Sequence, residues 1–196
     1  MPRRRRTVLS FLVVGALVAL AACSTGDADP SVTVTSAQVS TTVASPPVET
    51  LPDGSLRAPV GFTAVVLTVT GADGSTVEVC VWLADDPEER SLGLMDVGDP
   101  ELGGKAGMVF AFDAEVDSAF WMRNTILPLS IAYLDGEGAV VSTADMEPCP
   151  VGVTDCPTYP PAGRYRMALE VPQGALPELG VVPDGRVALG GDCPAT

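Results

Sequence analysis

The sequence contains no histidine. That removes Ser-His-Asp and Cys-His catalysis, His-ligated zinc and any histidine pH switch. Basic residues are scarce. Only 11 Lys and Arg face 25 Asp and Glu, and four of them, Arg3, Arg4, Arg5 and Arg6, crowd the N-terminus. The rest of the chain carries a net charge of −18. Phosphate contacts need clustered Lys and Arg, so no nucleic-acid partner is expected. Aromatic residues make up just 5% of the 196. The apolar share, 46%, still suffices for one ordinary domain, whereas two would be cramped.

Residues 1–22 read as a signal peptide. Arg3 to Arg6 form a positive n-region, followed by the apolar stretch Val8 to Ala22, which only Ser10 and Gly15 interrupt. Its fifteen residues span about 22 Å as a helix, short of the ~30 Å hydrocarbon core. A secretory h-region fits that length better than a permanent transmembrane helix. Leu20-Ala21-Ala22-Cys23 resembles a bacterial lipobox. The resemblance implies diacylglycerol on the Cys23 thiol and cleavage that leaves Cys23 first. Two or three acyl chains anchor stably, at roughly 0.8 kcal/mol per buried CH₂. The expected location is therefore outside the cytoplasm, lipid-anchored on the outer face of the bacterial cytoplasmic membrane or in the cell envelope. Arg5-Arg6-Thr7-Val8-Leu9 leaves the secretory and twin-arginine routes both open.

Residues 23–60 hold the lipidated cysteine and a tether. The stretch is rich in Ser, Thr, Val, Ala and Pro, lacks aromatics, and is broken by Pro46, Pro47, Pro52 and Pro59. Such composition predicts disorder. Residues 61–196 make the folded domain. Ala64–Thr70 and Thr76–Leu83 flank the turn Gly71-Ala72-Asp73-Gly74, which predicts a β-hairpin. Asp85-Asp86-Pro87-Glu88-Glu89-Arg90 starts a short helix, with a capping Asp, Pro87 in the first turn and acids at the positive end of the dipole. Further strands are expected at 108–112, 118–122, 129–134, 139–144, 165–171 and 186–189, and a second short helix at 174–179. The fold expected is mainly β (α+β), a compact barrel- or sandwich-like domain of seven or eight short strands with two short helices.

Apart from Cys23, the cysteines are Cys80, Cys149, Cys156 and Cys193. Four cysteines in an exported domain suggest two disulfides, and the pairing expected is Cys149–Cys156 with Cys80–Cys193. The C-x₂-C spacing of zinc ribbons and redox pairs is absent, so neither a metal nor another cofactor is expected.

Several motifs follow one another in order. They are Asp85 to Met95, Gly107-Met108-Val109-Phe110-Ala111-Phe112, and Phe120-Trp121-Met122-Arg123-Asn124-Thr125-Ile126-Leu127-Pro128-Leu129. Ile131-Ala132-Tyr133, Met146-Glu147-Pro148-Cys149 and Cys156-Pro157-Thr158-Tyr159 complete the set. From about Val77 to about Val187 the chain resembles the domain-of-unknown-function 192 family. The resemblance implies a small β-rich fold, often exported, and no assigned activity. Cys80 and Cys193 look like additions peculiar to this chain, and Arg123 stands where lysine is equally expected.

Two readings of the motif residues stand side by side. In the first, Trp121 faces inward, alternation turns Met122 out and Arg123 in, and Asn124 and Thr125 cap a turn. In the second, the same block floors a polar pocket. Arg123 would hold a carboxylate or sulfate, Asn124 and Thr125 would offer hydrogen bonds, and Trp121 would supply a stacking wall. Tyr159 beside the cysteine loop belongs to that region. Glu147 would pair with Arg123 or act as an acid or base, and Arg90 has the same ambiguity between an ion pair and a ligand contact. Asp145 and Glu147 are the carboxylates available to a hydrolase.

The reading these residues favour is a non-catalytic binding module for a small polar or saccharide-like ligand or an envelope partner. A carboxylate-dependent envelope hydrolase and a scaffold in an envelope complex are the alternatives.

Overall fold

The computed structural model describes Thr50 and residues 56–194. The expected signal peptide, Cys23 and most of the tether fall on residues 1–49 and 51–55, outside the described residues.

The hairpin forms as the turn chemistry predicts. Strands β1 (Thr63–Thr70) and β2 (Thr76–Ala84) pair in register from Thr70 opposite Thr76 to Thr63 opposite Leu83. At the turn Asp73 Oδ1 accepts from both Ser75 Oγ and Ser75 N, at 2.6 and 2.9 Å. Those two bonds hold the Asp73 carboxyl below its ordinary range. Helix α1 (Pro87–Leu92) is capped by Asp86, whose side chain accepts from Glu89 N at 2.8 Å. Glu89 reaches back to Asp85 N at 3.1 Å.

Strand β3 (Met108–Val116) runs parallel to β2. Parallel neighbours need a crossover, and α1 with residues 93–107 supplies it. Strands β5 (Leu129–Leu134) and β6 (Val140–Met146) form a second hairpin, and β8 (Tyr165–Pro172) inserts between β5 and β3. Strand β9 (Arg186–Asp192) pairs with β1. The seven-stranded order is β6-β5-β8-β3-β2-β1-β9, and β4 (Phe120–Trp121) with β7 (Thr158–Tyr159) makes a separate two-stranded ribbon.

The fold is mainly β and sandwich-like, and the sheet is not a closed barrel. Its edges, β6 and β9, meet at a single bridge between Ala139 and Arg186, where Val187 N donates to Gly138 O at 2.8 Å. Gly138 has φ +78°, and a Cβ there would lie 1.9 Å from Val187 O, so only glycine lets the edges touch. Among the described residues the strands number nine, because the two-residue β7 carries no periodicity to read. The second helix is a correction: residues 174–179 form successive turns. Pro177 has no N–H, and its carbonyl accepts from Gly180 N at 3.0 Å while Leu176 O accepts from Val181 N at 2.9 Å.

Alternation along the strands gives the sheet two unlike faces. One face collects Met108, Phe110, Ile131, Tyr133, Tyr165 and Ala168, with Phe112 and Phe120 packed against them. The other is purely aliphatic, from Val65, Leu67 and Val69 through Val109, Leu134, Leu169 and Val171 to Leu176 and Val181. Two disulfides complete the domain. Cys80–Cys193 ties β2 to the segment after β9, and Cys149–Cys156 closes the loop before β7. Two such bonds fit an oxidising, exported environment. No helix among the described residues is long and apolar enough to cross a membrane.

Candidate functional site

The block Phe120 to Thr125 brings most candidate residues together. After β4 the chain turns, with Thr125 N donating to Met122 O at 2.9 Å. Asn124 takes a left-handed backbone, φ 54°, which its short polar side chain tolerates. Alternation holds here with the opposite phase to the inward-Trp reading. Phe120 and Met122 take the inward positions, so Trp121 and Arg123 fall outside. Met122 is 1% exposed and Trp121 51%. The Arg123 guanidinium lies 5.5 Å over the Trp121 ring.

Cys149 is stitched to this block. It bridges to both Arg123 and Thr125, and its N donates to Thr125 O at 2.9 Å. The Cys149–Cys156 bond therefore holds the intervening loop opposite Trp121. Trp121, Arg123 and Asn124 form one wall of a cavity of about 590 Å³, and residues 151–154 with Cys156 form the other. Its size suits a small ligand.

The other candidates lie elsewhere. Tyr159 is a brace: its hydroxyl accepts from Glu147 N at 2.9 Å, and its carbonyl accepts from Tyr133 Oη. Glu147 does not pair with Arg123. Its Oε1 accepts from Gln173 Nε2 at 3.4 Å, and the ion pairs among the described residues are Arg164–Glu115 and Arg186–Glu137. Asp145 lines a separate cleft of about 430 Å³, where Ser130 Oγ donates to it and accepts from Gly174 N at 2.9 Å. Glu147 is not among the residues of that cleft, so the two hydrolase carboxylates do not share a site. Arg90 is not in an ion pair. Its Nη1 donates to Asp85 O and to Ala111 O, the latter at 2.9 Å, and its guanidinium lies 5.1 Å over Phe112. It pins α1 to β3.

The residue that sequence reasoning missed is Glu170. It stands in the middle of β8 between Met108 of β3 and Ile131 of β5, on the same face as Ala168. It is 4% exposed, and no hydrogen-bond donor reaches its carboxyl among the described residues. Burial pushes its pKa up to about 8. The same aromatic surroundings raise the hydroxyls of Tyr133 and Tyr165 by desolvation, so both stay neutral. Glu170 lines a small cleft of about 40 Å³ whose other walls include Gly93, Phe110, Phe120, Trp121 and Thr125, with Arg90 also lining it. Trp121 thus borders both cavities. The available signal was an acid inside the apolar run Ala168-Leu169-Glu170-Val171.

Residues 67–189 match the family DUF192, described as Uncharacterized ACR. The chain is similar to a solved protein of unknown function from Novosphingobium aromaticivorans DSM 12444. Identity is 31% and the TM-score 0.55, over 68% of this chain and 91% of that one. It is also similar to a candidate transcription regulator from Sinorhizobium meliloti 1021, at 26% identity and a TM-score of 0.57, over 67% of this chain and 98% of that one. No curated protein matches the sequence.

Proposed function

Since this chain belongs to the DUF192 family, whose description names no activity, we propose a function from the site itself: a lipid-anchored envelope module that binds a small polar or saccharide-like ligand. The observation that carries it is the half-exposed Trp121, overlain by Arg123 and facing a disulfide-held loop across about 590 Å³. An aromatic ring offers a sugar its apolar face. Arg123 and Asn124 offer donors to hydroxyl, carboxylate or sulfate groups. The disulfide limits the ordering cost on binding. The transcription-regulator description of one relative does not carry over, because a chain with a net charge of −18 past Arg6 lacks the clustered cations DNA requires.

The test is a glycan and muropeptide binding panel on the full chain. Binding is expected in the wild type and lost in the Arg123→Ala/Asn124→Ala double variant, which still folds and melts only a few degrees lower, because alanine at the left-handed Asn124 position costs about 1 kcal/mol. A panel with no binder would sink the small-ligand reading. An envelope protein partner is the second reading, favoured by Val151 and Val153, both exposed on the same loop. Crosslinking in intact cells that depends on those two valines would select it. Anchoring is tested separately: Cys23→Ala should move the protein out of the membrane fraction.

A further inference from the structure

The cleft lined by Glu170 shares Trp121 with the cavity described above and none of that cavity's other lining residues. A carboxyl on a central strand, flanked on both sides by fully buried Met108 and Ile131, is costly to keep without a purpose. Its side chain shares the sheet face of Phe110, and the cleft it lines is walled by the rings of Phe110, Phe120 and Trp121. Helix α1 ends at the cleft at Gly93, φ +49°, where a Cβ would lie 3.1 Å from the Phe110 ring.

From this juxtaposition of the Glu170 carboxyl, which meets no hydrogen-bond donor among the described residues, with three aromatic rings, we infer that the cleft is a binding site for a ligand ammonium group. The aromatic faces attract a cation, and the carboxylate supplies its counter-charge and hydrogen-bond acceptors. The volume, about 40 Å³, admits an ammonium or methylammonium head and excludes a sugar ring. No second carboxylate lines it, so it is built neither as a divalent-metal site nor as a paired-acid hydrolase site. Arg90 turns its Nη1 to the carbonyls of Asp85 and Ala111, and its guanidinium rests on Phe112. Its charge is thereby engaged at the rim. The acidic surface of the domain adds a field that concentrates cations. The charges balance simply. Protonated Glu170 plus a ligand ammonium gives a carboxylate–ammonium pair and one released proton. Above the Glu170 pKa of about 8 no proton is released.

The experiment titrates the full chain with methylammonium chloride, with potassium chloride at matched ionic strength and methanol as controls. Binding and proton release are read by calorimetry in two buffers of different ionisation enthalpy. Saturable binding by methylammonium alone is expected, about 50-fold weaker at pH 6 than at pH 8, with close to one proton released at the lower pH. Glu170→Gln should abolish it, and Trp121→Ala, at an exposed position that preserves the fold, should weaken it several-fold. Arg123→Ala/Asn124→Ala should leave it unchanged, which separates this site from the neighbouring cavity. An equal response to methanol or potassium, undiminished binding in Glu170→Gln, or no saturation would overturn the assignment. So would a crystal structure grown with methylammonium in which the cleft holds water only.

Discussion

The two faces of the large sheet are built from the same strands and follow opposite policies. Leu169 and Glu170 are neighbours in β8, each in the middle of the sheet, yet one points into an all-aliphatic layer and the other into an aromatic one. The aliphatic face buries one polar side chain, Ser130, whose hydroxyl is satisfied by Asp145 and Gly174 N, and otherwise packs by shape. The aromatic face carries Tyr133 and Tyr165, whose hydroxyls reach backbone carbonyls of Tyr159 and Ser118, and a carboxyl with no hydrogen-bond donor among the described residues. Its five rings meet edge to face or tilted, with Phe120 5.0 Å from Phe110 and Tyr133 4.9 Å from Tyr165. Both candidate cavities open beside the aromatic face.

The largest break in that comparison is Leu169→Ala. Truncating a fully buried leucine in the aliphatic layer should cost about 2–5 kcal/mol, readable as a lowered urea midpoint. Next comes Glu170, one residue away. Its pKa in the folded protein, about 8, lies above the ordinary 4.5, so the native state keeps a proton that the unfolded chain releases. The resulting stability is fully present below pH 4.5, falls as pH rises, and is lost by about pH 8, a change of about 2–4 kcal/mol. Tyr133 and Tyr165, on the same sheet face, keep neutral hydroxyls through that window because desolvation raises both. Denaturant melts of Glu170→Gln should lose this slope and exceed the wild type at alkaline pH. Equal slopes in the two proteins would mean the carboxyl is not desolvated. Reducing the short loop bond by Cys149→Ser/Cys156→Ser should cost about 2 kcal/mol and loosen the larger cavity first, visible as faster amide exchange at residues 150–155. The smallest effect belongs to Trp121→Ala. Its loss should shift stability by less than about 0.5 kcal/mol, because the ring covers cavities and little core.

Local chemistry was legible wherever it was self-contained. The Gly71–Gly74 turn, the Asp86 cap with Pro87 behind it, and the short Cys149–Cys156 loop are decided within a few residues, and each appears where the sequence places it. The reading failed where a partner far along the chain decides. The exception is residues 174–179, where the cause is local: Pro177 lacks an N–H, and only turns form. The pocket-forming residues were half legible. Trp121, Arg123 and Asn124 do share a wall, while Glu147, Asp145 and Tyr159 are distributed to other duties by strands that periodicity cannot align.

By itself the sequence determined the mainly β domain, its first hairpin, its helix cap and, through the absence of histidine, the imidazole chemistry it forgoes. The tertiary structure alone decided phase. A strand's period of two defines two faces and is silent about which of them meets a core. The docking of Phe120 and Met122 onto the aromatic layer turned Trp121 and Arg123 to solvent. The insertion of β8 between β3 and β5 buried Glu170, a residue that on an edge strand would have remained an ordinary exposed acid.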